Sequence, residues 1–346
     1  MKQVPLVLLG FGKVGQALAR LIEQRNGFAD TGARLFLRAV FDRGGAAIGE
    51  SLQSSELIDA KCHNGSVASH PRCGRPGMAP AEALAADPSS ILIDASPTDP
   101  EFGQPGLDPI CQALEQGHSV VLASKGPLVA AYEKVASLAV ENKCRVGISA
   151  AVGTPLPSVE TVLLGLHGSS VCSFRGLFNE TSNRILREME AGASREQAVE
   201  SARKAGVLES DPRLDLEGWD TLFKVLILAR VFWDPALPAD SARVEGITGI
   251  SPEELSSARE KGRRVRLLGS ARRDDSGEVE IQVQPVALDE TDPLFPLGAG
   301  EKGAVFESDL MGRFVIRSGK AGPFATAAAV VKDVLNIAVH PAVLAI

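Results

Sequence analysis

The chain has 346 residues, 45% of them apolar and 23% charged. This is ordinary globular usage over a length that suits two domains, and it excludes collagen-like, coiled-coil and wholly disordered descriptions. The formal net charge is −7 and no basic run is present, which argues against a nucleic-acid partner.

No stretch approaches the roughly 20 apolar residues of a membrane span. The apolar start VPLVLLGFG meets Gly10 and Gly12 at once, with no small-residue cleavage site after it, so it does not read as a secretory leader. Five scattered cysteines (Cys62, Cys73, Cys111, Cys144 and Cys172) fit free thiols in a reducing compartment, and the expected location is the cytoplasm.

Val4–Leu9 reads as a buried strand, and Val14, Leu18, Leu21 and Ile22 follow at helical spacing. Leu35–Phe41 reads as a second strand. Residues 43–80, rich in Gly, Ser and Pro, read as a long irregular excursion with at most a short helix. Ile91–Asp94, Val120–Leu122 and Arg145–Ile148 are further short β runs, with room for helices around Asp108–Gln116 and Tyr132–Asn142. Alternation of this kind predicts a Rossmann-type, doubly wound α/β parallel sheet.

The second half differs. Ser194 and Gln197 form a capping box opening a helix to about Gly206, and Trp219–Trp233 is a strongly apolar helix. Val279, Ile281 and Val283 alternate with polar residues as a half-buried strand does. Ala304–Glu307 and Arg313–Arg317 read as strands, and Thr326–Ile337 as a closing helix. The expected division is a dinucleotide-binding domain over 1–147, joined by the C-terminal helix of about 320–346. An α+β substrate-binding and dimerisation domain would occupy 148–319.

The first strand runs into Gly10-Phe11-Gly12-Lys13-Val14-Gly15 and then a helix. In such a turn the first Gly permits the tight bend and the second lets backbone approach a pyrophosphate. The third lets helix and strand pack closely, while the helix N-terminus offers amide donors. The strand–turn–helix context marks this as a dinucleotide-binding turn. Asp42, at the end of the second strand, suits ribose hydroxyls and so NAD; Arg43 beside it suits a 2′-phosphate and so NADP, and both stand. Ser96, in Asp94-Ala95-Ser96-Pro97, lies on the same edge of the sheet.

Asp220 and Lys224 are four apart, on one face of an otherwise apolar helix. Charges there must be paired or face a ligand, and from these residues alone a structural ion pair stands equally with a substrate site. Cys62, His63, His70 and Cys73 cluster in the irregular stretch, but their spacing matches no common zinc pattern, and no metal is expected. No Ser–His–Asp arrangement or nucleophile elbow is visible.

The sequence resembles the homoserine dehydrogenases. The resemblance is carried in order by Gly10–Gly15, Asp94–Thr98, Val120–Leu128 (VVLASKGPL), Ala151–Pro157 (AVGTPLP), Asn179–Asn183, Glu209–Lys224, Ala321-Gly322 and Thr326-Ala327. It implies NAD(P)-linked hydride transfer between L-homoserine and L-aspartate 4-semialdehyde, as in threonine and methionine biosynthesis. It further implies that Lys125 and Lys224 share proton transfer and hydroxyl positioning, that Asp220 holds Lys224 or the hydroxyl, and that Glu209 and Asp215 hold the substrate ammonium. Glu180 and Thr181 fall beside substrate, Lys125 and Gly322 also beside the cofactor, and a homodimer is implied.

Some positions depart from the family. Asn179-Glu180-Thr181 stands where Asn-Gly-Thr is usual, Ser124 where an Asn precedes the lysine, Lys320 where a Gly is usual, and Gly303-Ala304 where Asn-Ala is usual. A Glu that helps hold a monovalent cation is replaced by Ser149, leaving only the carbonyls of Val152, Thr154 and Leu156. The departures cluster around the reacting centre. They leave two further readings: a relative retuned for another small amino or hydroxy acid, and a silent nucleotide-binding homologue, which the retained lysines disfavour.

Overall fold

A computed structural model describes residues 1–208, 211–239, 242–319 and 321–339. The chain divides into two compact units, Met1–Pro155 with Pro323–Ile346, and Leu156–Gly322.

The first unit is built on a seven-stranded sheet. Its strands are β1 (Lys2–Leu9), β2 (Ala33–Asp42), β3 (Gly45–Ile48), β4 (Gly74–Pro76), β5 (Ile91–Asp94), β6 (Val120–Leu122) and β7 (Val146–Gly147), in the order β4-β3-β2-β1-β5-β6-β7. The five from β2 to β7 in that order are parallel. The helices are α1 (Lys13–Gln24), α2 (Ser54–Asn64), α3 (Pro80–Ala85), α4 (Leu107–Glu115), α5 (Gly126–Ala130) and α6 (Tyr132–Glu141). The core strands read as near-continuous apolar runs because both faces are covered: Leu6, Val7, Leu8, Leu92 and Ile93 are all buried. The C-terminal helix, Pro323–Val339, returns to this unit and packs Ala327, Val330, Val331 and Val334 against the same core as Leu18 and Leu35.

Residues 43–80 correct the expectation of an irregular excursion. The chain reverses at Arg43-Gly44, adds β3 and β4 antiparallel to the sheet edge, and places α2 between them. Asp42 anchors this addition. Its Oδ1 accepts from Ser66 Oγ (2.6 Å) and the Gly44 amide (2.9 Å), and its Oδ2 from Lys61 Nζ (2.6 Å) and the Val67 amide (3.0 Å). Burial acts to raise the Asp42 carboxyl, but the bonds from Lys61, Ser66 and the two amides outweigh it and hold the group below its ordinary range. His70 is likewise committed: its Nδ1 accepts from the Arg72 and Cys73 amides, and its Nε2 lies 3.4 Å from Glu56. All five cysteines are free thiols.

The second unit holds α7 (Ser158–Glu160), β8 (Val171–Leu177), α8 (Glu180–Glu190), α9 (Arg195–Lys204), α10 (Pro212–Leu216), α11 (Trp219–Phe232), β9 (Arg243–Val244), α12 (Pro252–Glu260), β10 (Arg264–Arg273), β11 (Val279–Leu288), β12 (Lys302–Ser308) and β13 (Gly312–Ser318). Its sheet order is β13-β12-β8-β10-β11-β9, antiparallel except where β9 joins β11. Ser194 caps α9 through the box expected from the sequence. Two central strands, β8 and β10, do not announce themselves as apolar runs. In β10 the arginines intrude, yet Arg266 is only 3% exposed because Glu190 meets its guanidinium at 2.9 Å.

Two glycines let α11 approach this sheet. Gly218, at φ +90°, turns the chain into the helix. A Cβ built on Gly269 of β10 would lie 2.5 Å from Val225 Cγ2 and 2.7 Å from Thr221 Cγ2, so that strand must present bare backbone to α11. Phe174 sits among Phe178, Phe232, Trp233 and Phe306, with ring centroids 5.5–6.5 Å apart.

Two outcomes follow for stability. Phe174→Ala opens a void in this ring cluster and should cost about 3–5 kcal/mol, read from urea unfolding. Asp42 has a folded pKa below its unfolded one, so its contribution is full above the unfolded value and is lost as pH falls through the folded value. Asp42→Asn should therefore melt about 2–5 °C lower than the native chain at pH 7. That gap should close below about pH 4, and a gap independent of pH would contradict the assignment.

Candidate active site

The glycine turn lies where β1 meets α1, at the C-terminal edge of the parallel sheet. Each glycine has a distinct cause. Gly10, at φ +90°, lies against the neighbouring strand end: an added Cβ would come within 2.4 Å of the Ala95 carbonyl oxygen. A Cβ on Gly15 would lie 2.2 Å from the Gly10 carbonyl oxygen, so the close helix–strand packing needs glycine. A Cβ on Gly12 would meet nothing within 4 Å. Its bareness serves no packing contact in the chain and suits close approach by a pyrophosphate. Lys13 is exposed and Val14 half-buried at the start of α1. The Phe11 ring is 2% exposed and belongs to the core, so Phe11 can offer a ligand only its backbone.

The same edge carries Asp94, Ser96 and Lys125. The amides of Ala123 and Ser124 donate to the Asp94 carbonyl at 2.7 and 3.2 Å, which ties the end of β6 to β5 just before Lys125. The Asp94 carboxyl is fully buried; its Oδ1 accepts from the Ser96 amide at 3.0 Å, while Oδ2 has no hydrogen-bond partner among the described residues. Burial pushes this carboxyl above its ordinary value. Lys125 is half-buried and precedes α5, with its carbonyl accepting from the Leu128 and Val129 amides. Arg43 is exposed at the turn after β2, whereas the Asp42 carboxylate is already engaged by four donors.

In the second unit the polar side chains converge on Asn179. This residue caps α8: its Oδ1 accepts from the Ser182 amide at 2.9 Å. Its Nδ2 donates to Asp215 Oδ1 at 2.8 Å and to Asp220 Oδ2 at 2.7 Å. Lys224 donates to the same Asp220 oxygen and, at 2.9 Å, to the Phe178 carbonyl. Asp215, Asp220 and Lys224 are 2%, 4% and 9% exposed. Two of the three ammonium donors of Lys224 are thus used, and the third has no partner among the described residues.

The structure thus brings Asp215, Asp220 and Lys224 together, as a triad assembled by an asparagine whose bridging role the sequence reading did not assign. Its signal was available: Asn before a helix is a strong N-cap residue. Thr181 lies beside this set with its hydroxyl donating to the Val207 carbonyl at 2.8 Å. Glu180 is half-buried in the first turn of α8 and makes no hydrogen bond or ion pair among the described residues. Gly322 adopts φ +97° just before the C-terminal helix. Glu209 and Lys320 lie outside the described residues.

Position 149 does not fit a cation ligand. The Ser149 amide and hydroxyl both donate, at 2.9 and 2.8 Å, to the two oxygens of Asp333. The position therefore presents donors where a cation would need an anionic oxygen. Among the described residues no group of three or more His, Cys, Asp or Glu side chains is placed to hold a metal ion, and no helix is long and apolar enough to cross a membrane.

Comparison with known proteins agrees with this geometry. The family model described as homoserine dehydrogenase matches residues 157–335. An NAD(+)-dependent homoserine dehydrogenase of Pseudomonas canavaninivorans is 32% identical over 97% of this chain and 97% of its own length. The crystal structure of homoserine dehydrogenase from Thermoplasma acidophilum superposes with a TM-score of 0.83 at 25% identity, covering 96% of this chain and 98% of that one. A hyperthermophilic archaeal homoserine dehydrogenase in complex with NADPH gives a TM-score of 0.82 at 25% identity, covering 97% of each chain. A strand–turn–helix glycine site, a buried Asp–Asn–Asp–Lys set and full-length similarity coincide in one chain, which belongs to the homoserine dehydrogenase family.

Proposed function

We propose that this protein catalyses the reversible NAD(P)-linked oxidation of L-homoserine to L-aspartate 4-semialdehyde. The carrying observation is the set around Asn179. Two buried carboxylates and one ammonium meet there, and one lysine donor is directed to no described partner. An incoming amino acid matches this chemistry: its ammonium suits a site lined by carboxylates, and its hydroxyl or carbonyl oxygen can accept from Lys224.

The cofactor, when bound, accepts or returns the hydride at the substrate carbon. In the reducing direction Lys224 gives a proton to the oxygen as negative charge develops there, and in the oxidising direction its neutral amine takes that proton back. Asp220 holds the Lys224 amine in place throughout. Asp215 and Glu209 are assigned to the substrate ammonium, with Thr181 and Glu180 lining the substrate. Lys125 is assigned to share hydroxyl positioning and to touch the cofactor. Gly10 to Gly15, Arg43, Ser96 and Gly322 are assigned to the dinucleotide. Asp42 takes part only by exchanging one of its present donors for a ribose hydroxyl.

The first unit would be the dinucleotide-binding domain and the second the substrate domain. The second unit would also form a homodimer through its sheet: β13 is an edge strand, with Val315 41% exposed along it. Free thiols at all five cysteines support a cytoplasmic setting, and the homoserine reaction would serve threonine and methionine biosynthesis.

Glu180 favours a second reading, a relative retuned for another small amino or hydroxy acid, because its carboxylate has no partner among the described residues and lies next to Asn179. Purified protein with homoserine and NAD or NADP should form reduced cofactor; binding of either without reduction would favour the second reading. Lys224→Ala should lower kcat roughly 10²–10⁴-fold with cofactor affinity intact, and unchanged turnover would refute its role. Glu180→Gly should leave kcat/KM for homoserine within about threefold under the first reading, whereas a gain of about tenfold or more supports the second.

A further inference from the structure

The C-terminal helix carries two charges, Lys332 and Asp333, in an otherwise uncharged and mostly apolar sequence. Asp333 is 3% exposed in the core of the first unit. A carboxylate is retained in such a place only where hydrogen bonds compensate its burial. Here both compensating side-chain-to-loop bonds come from one residue, Ser149, which lies 184 positions away: its hydroxyl donates to Oδ1 at 2.8 Å and its amide to Oδ2 at 2.9 Å. Lys332 Nζ stands 3.6 Å from Oδ1. The approach requires glycine at 147, since a Cβ there would lie 2.6 Å from Asp333 Cβ.

The position of Ser149 gives the contact its consequence. Ser149 follows β7 on the C-terminal edge of the parallel sheet, the edge that also carries the glycine turn and Lys125. It opens the Ser149–Pro155 segment, through which the chain leaves the first unit. A second bond stiffens that segment: the Thr154 hydroxyl donates to the Ala150 carbonyl at 2.8 Å.

We propose that Asp333 is a positioning residue of the dehydrogenase reaction: by taking both donors of Ser149 it fixes the Ser149–Pro155 segment, and it does so without a monovalent cation. The catalytic part of this statement rests on the homoserine dehydrogenase reading above; the anchoring part does not. A carboxylate supplied by the returning helix accepts these donors directly, at the position where the family resemblance implies a cation-binding glutamate. Asparagine at 333 keeps one acceptor and turns a donor toward a Ser149 donor, so one bond is lost and the other strained.

The test uses the full chain. Amide hydrogen exchange of peptides spanning 148–156, read by mass spectrometry on the unliganded protein, should quicken in Asp333→Asn and Gly147→Ala relative to the native chain. At a temperature well below either melting point, kcat should fall roughly tenfold in both variants with KM for the cofactor changed less. Once Asp333 is Asn, adding Ser149→Ala should cost little more, because the two residues act as one unit. Native activity should be equal in sodium, potassium and tetramethylammonium chloride at matched ionic strength. If Asp333→Asn does not fold, Ser149→Ala carries the same exchange and kinetic readouts. Unchanged exchange, multiplicative effects in the double variant, or native activity that appears only with an alkali cation would each overturn the proposal. Quickened exchange in a protein that does not turn over homoserine would count against the homoserine reading and leave the anchor standing.

Discussion

The second unit depends on how one amide keeps two buried carboxylates together. Asp215 and Asp220 come from different helices and would repel across a short distance in a poorly solvated setting. Asn179 offers each an N–H, and its remaining oxygen is fixed by the Ser182 amide, which settles the amide's orientation. Ser, Thr or Asp could cap α8 as well. Only asparagine caps it while donating twice on its other side, and aspartate would bring a third negative charge into the cluster.

The scaffold beneath this set is correspondingly constrained. Asp220 and Lys224 share a face of α11 with one turn between them, and Thr221 and Val225, each one position on, meet the sheet at Gly269. The helix therefore cannot rotate to release its charged face without driving Thr221 and Val225 into strand backbone. Asn183 reinforces the arrangement from α8: its side chain accepts from the Leu267 amide at 2.9 Å and donates to the Asn179 carbonyl at 2.9 Å. Strand, cap and α11 are thereby joined through buried side-chain hydrogen bonds, which stiffen the set.

Much of this was legible in the sequence, and the remainder fails for identifiable reasons. The glycine turn and the parallel strands follow from local rules, because the turn needs glycine for backbone reasons and doubly covered strands are apolar throughout. The i, i+4 spacing placed Asp220 and Lys224 together. By contrast, β3 and β4 have four and three residues, too short for any periodicity to register. Arg264, Arg266, Arg272 and Arg273 obscure β10, and the burial of Arg266 depends on Glu190, 76 residues away. Asp42 shows the limit most clearly. Its place at a strand end pointed to ribose, but Lys61 and Ser66, from the segment read as irregular, already hold its charge. A compensated carboxylate repels a 2′-phosphate less than a bare one, so the acid at this position does not by itself select NAD.

The departures from the family pattern separate on the same physical ground. Ser149 is absorbed: both its donors are engaged, and a new carboxylate partner explains why it is tolerated. Ser124 is buried, its amide tied to Asp94 and its hydroxyl without a partner among the described residues, so it trims volume beside Lys125 without adding a formal charge. Glu180 differs from both. It introduces a formal charge next to Asn179, no described residue pairs with it, and it stands in the first turn of α8, where the helix dipole favours an acid. Of the departures that can be placed, Glu180 alone adds a formal charge that no described residue pairs, whereas Ser124 leaves only a neutral hydroxyl without a described partner.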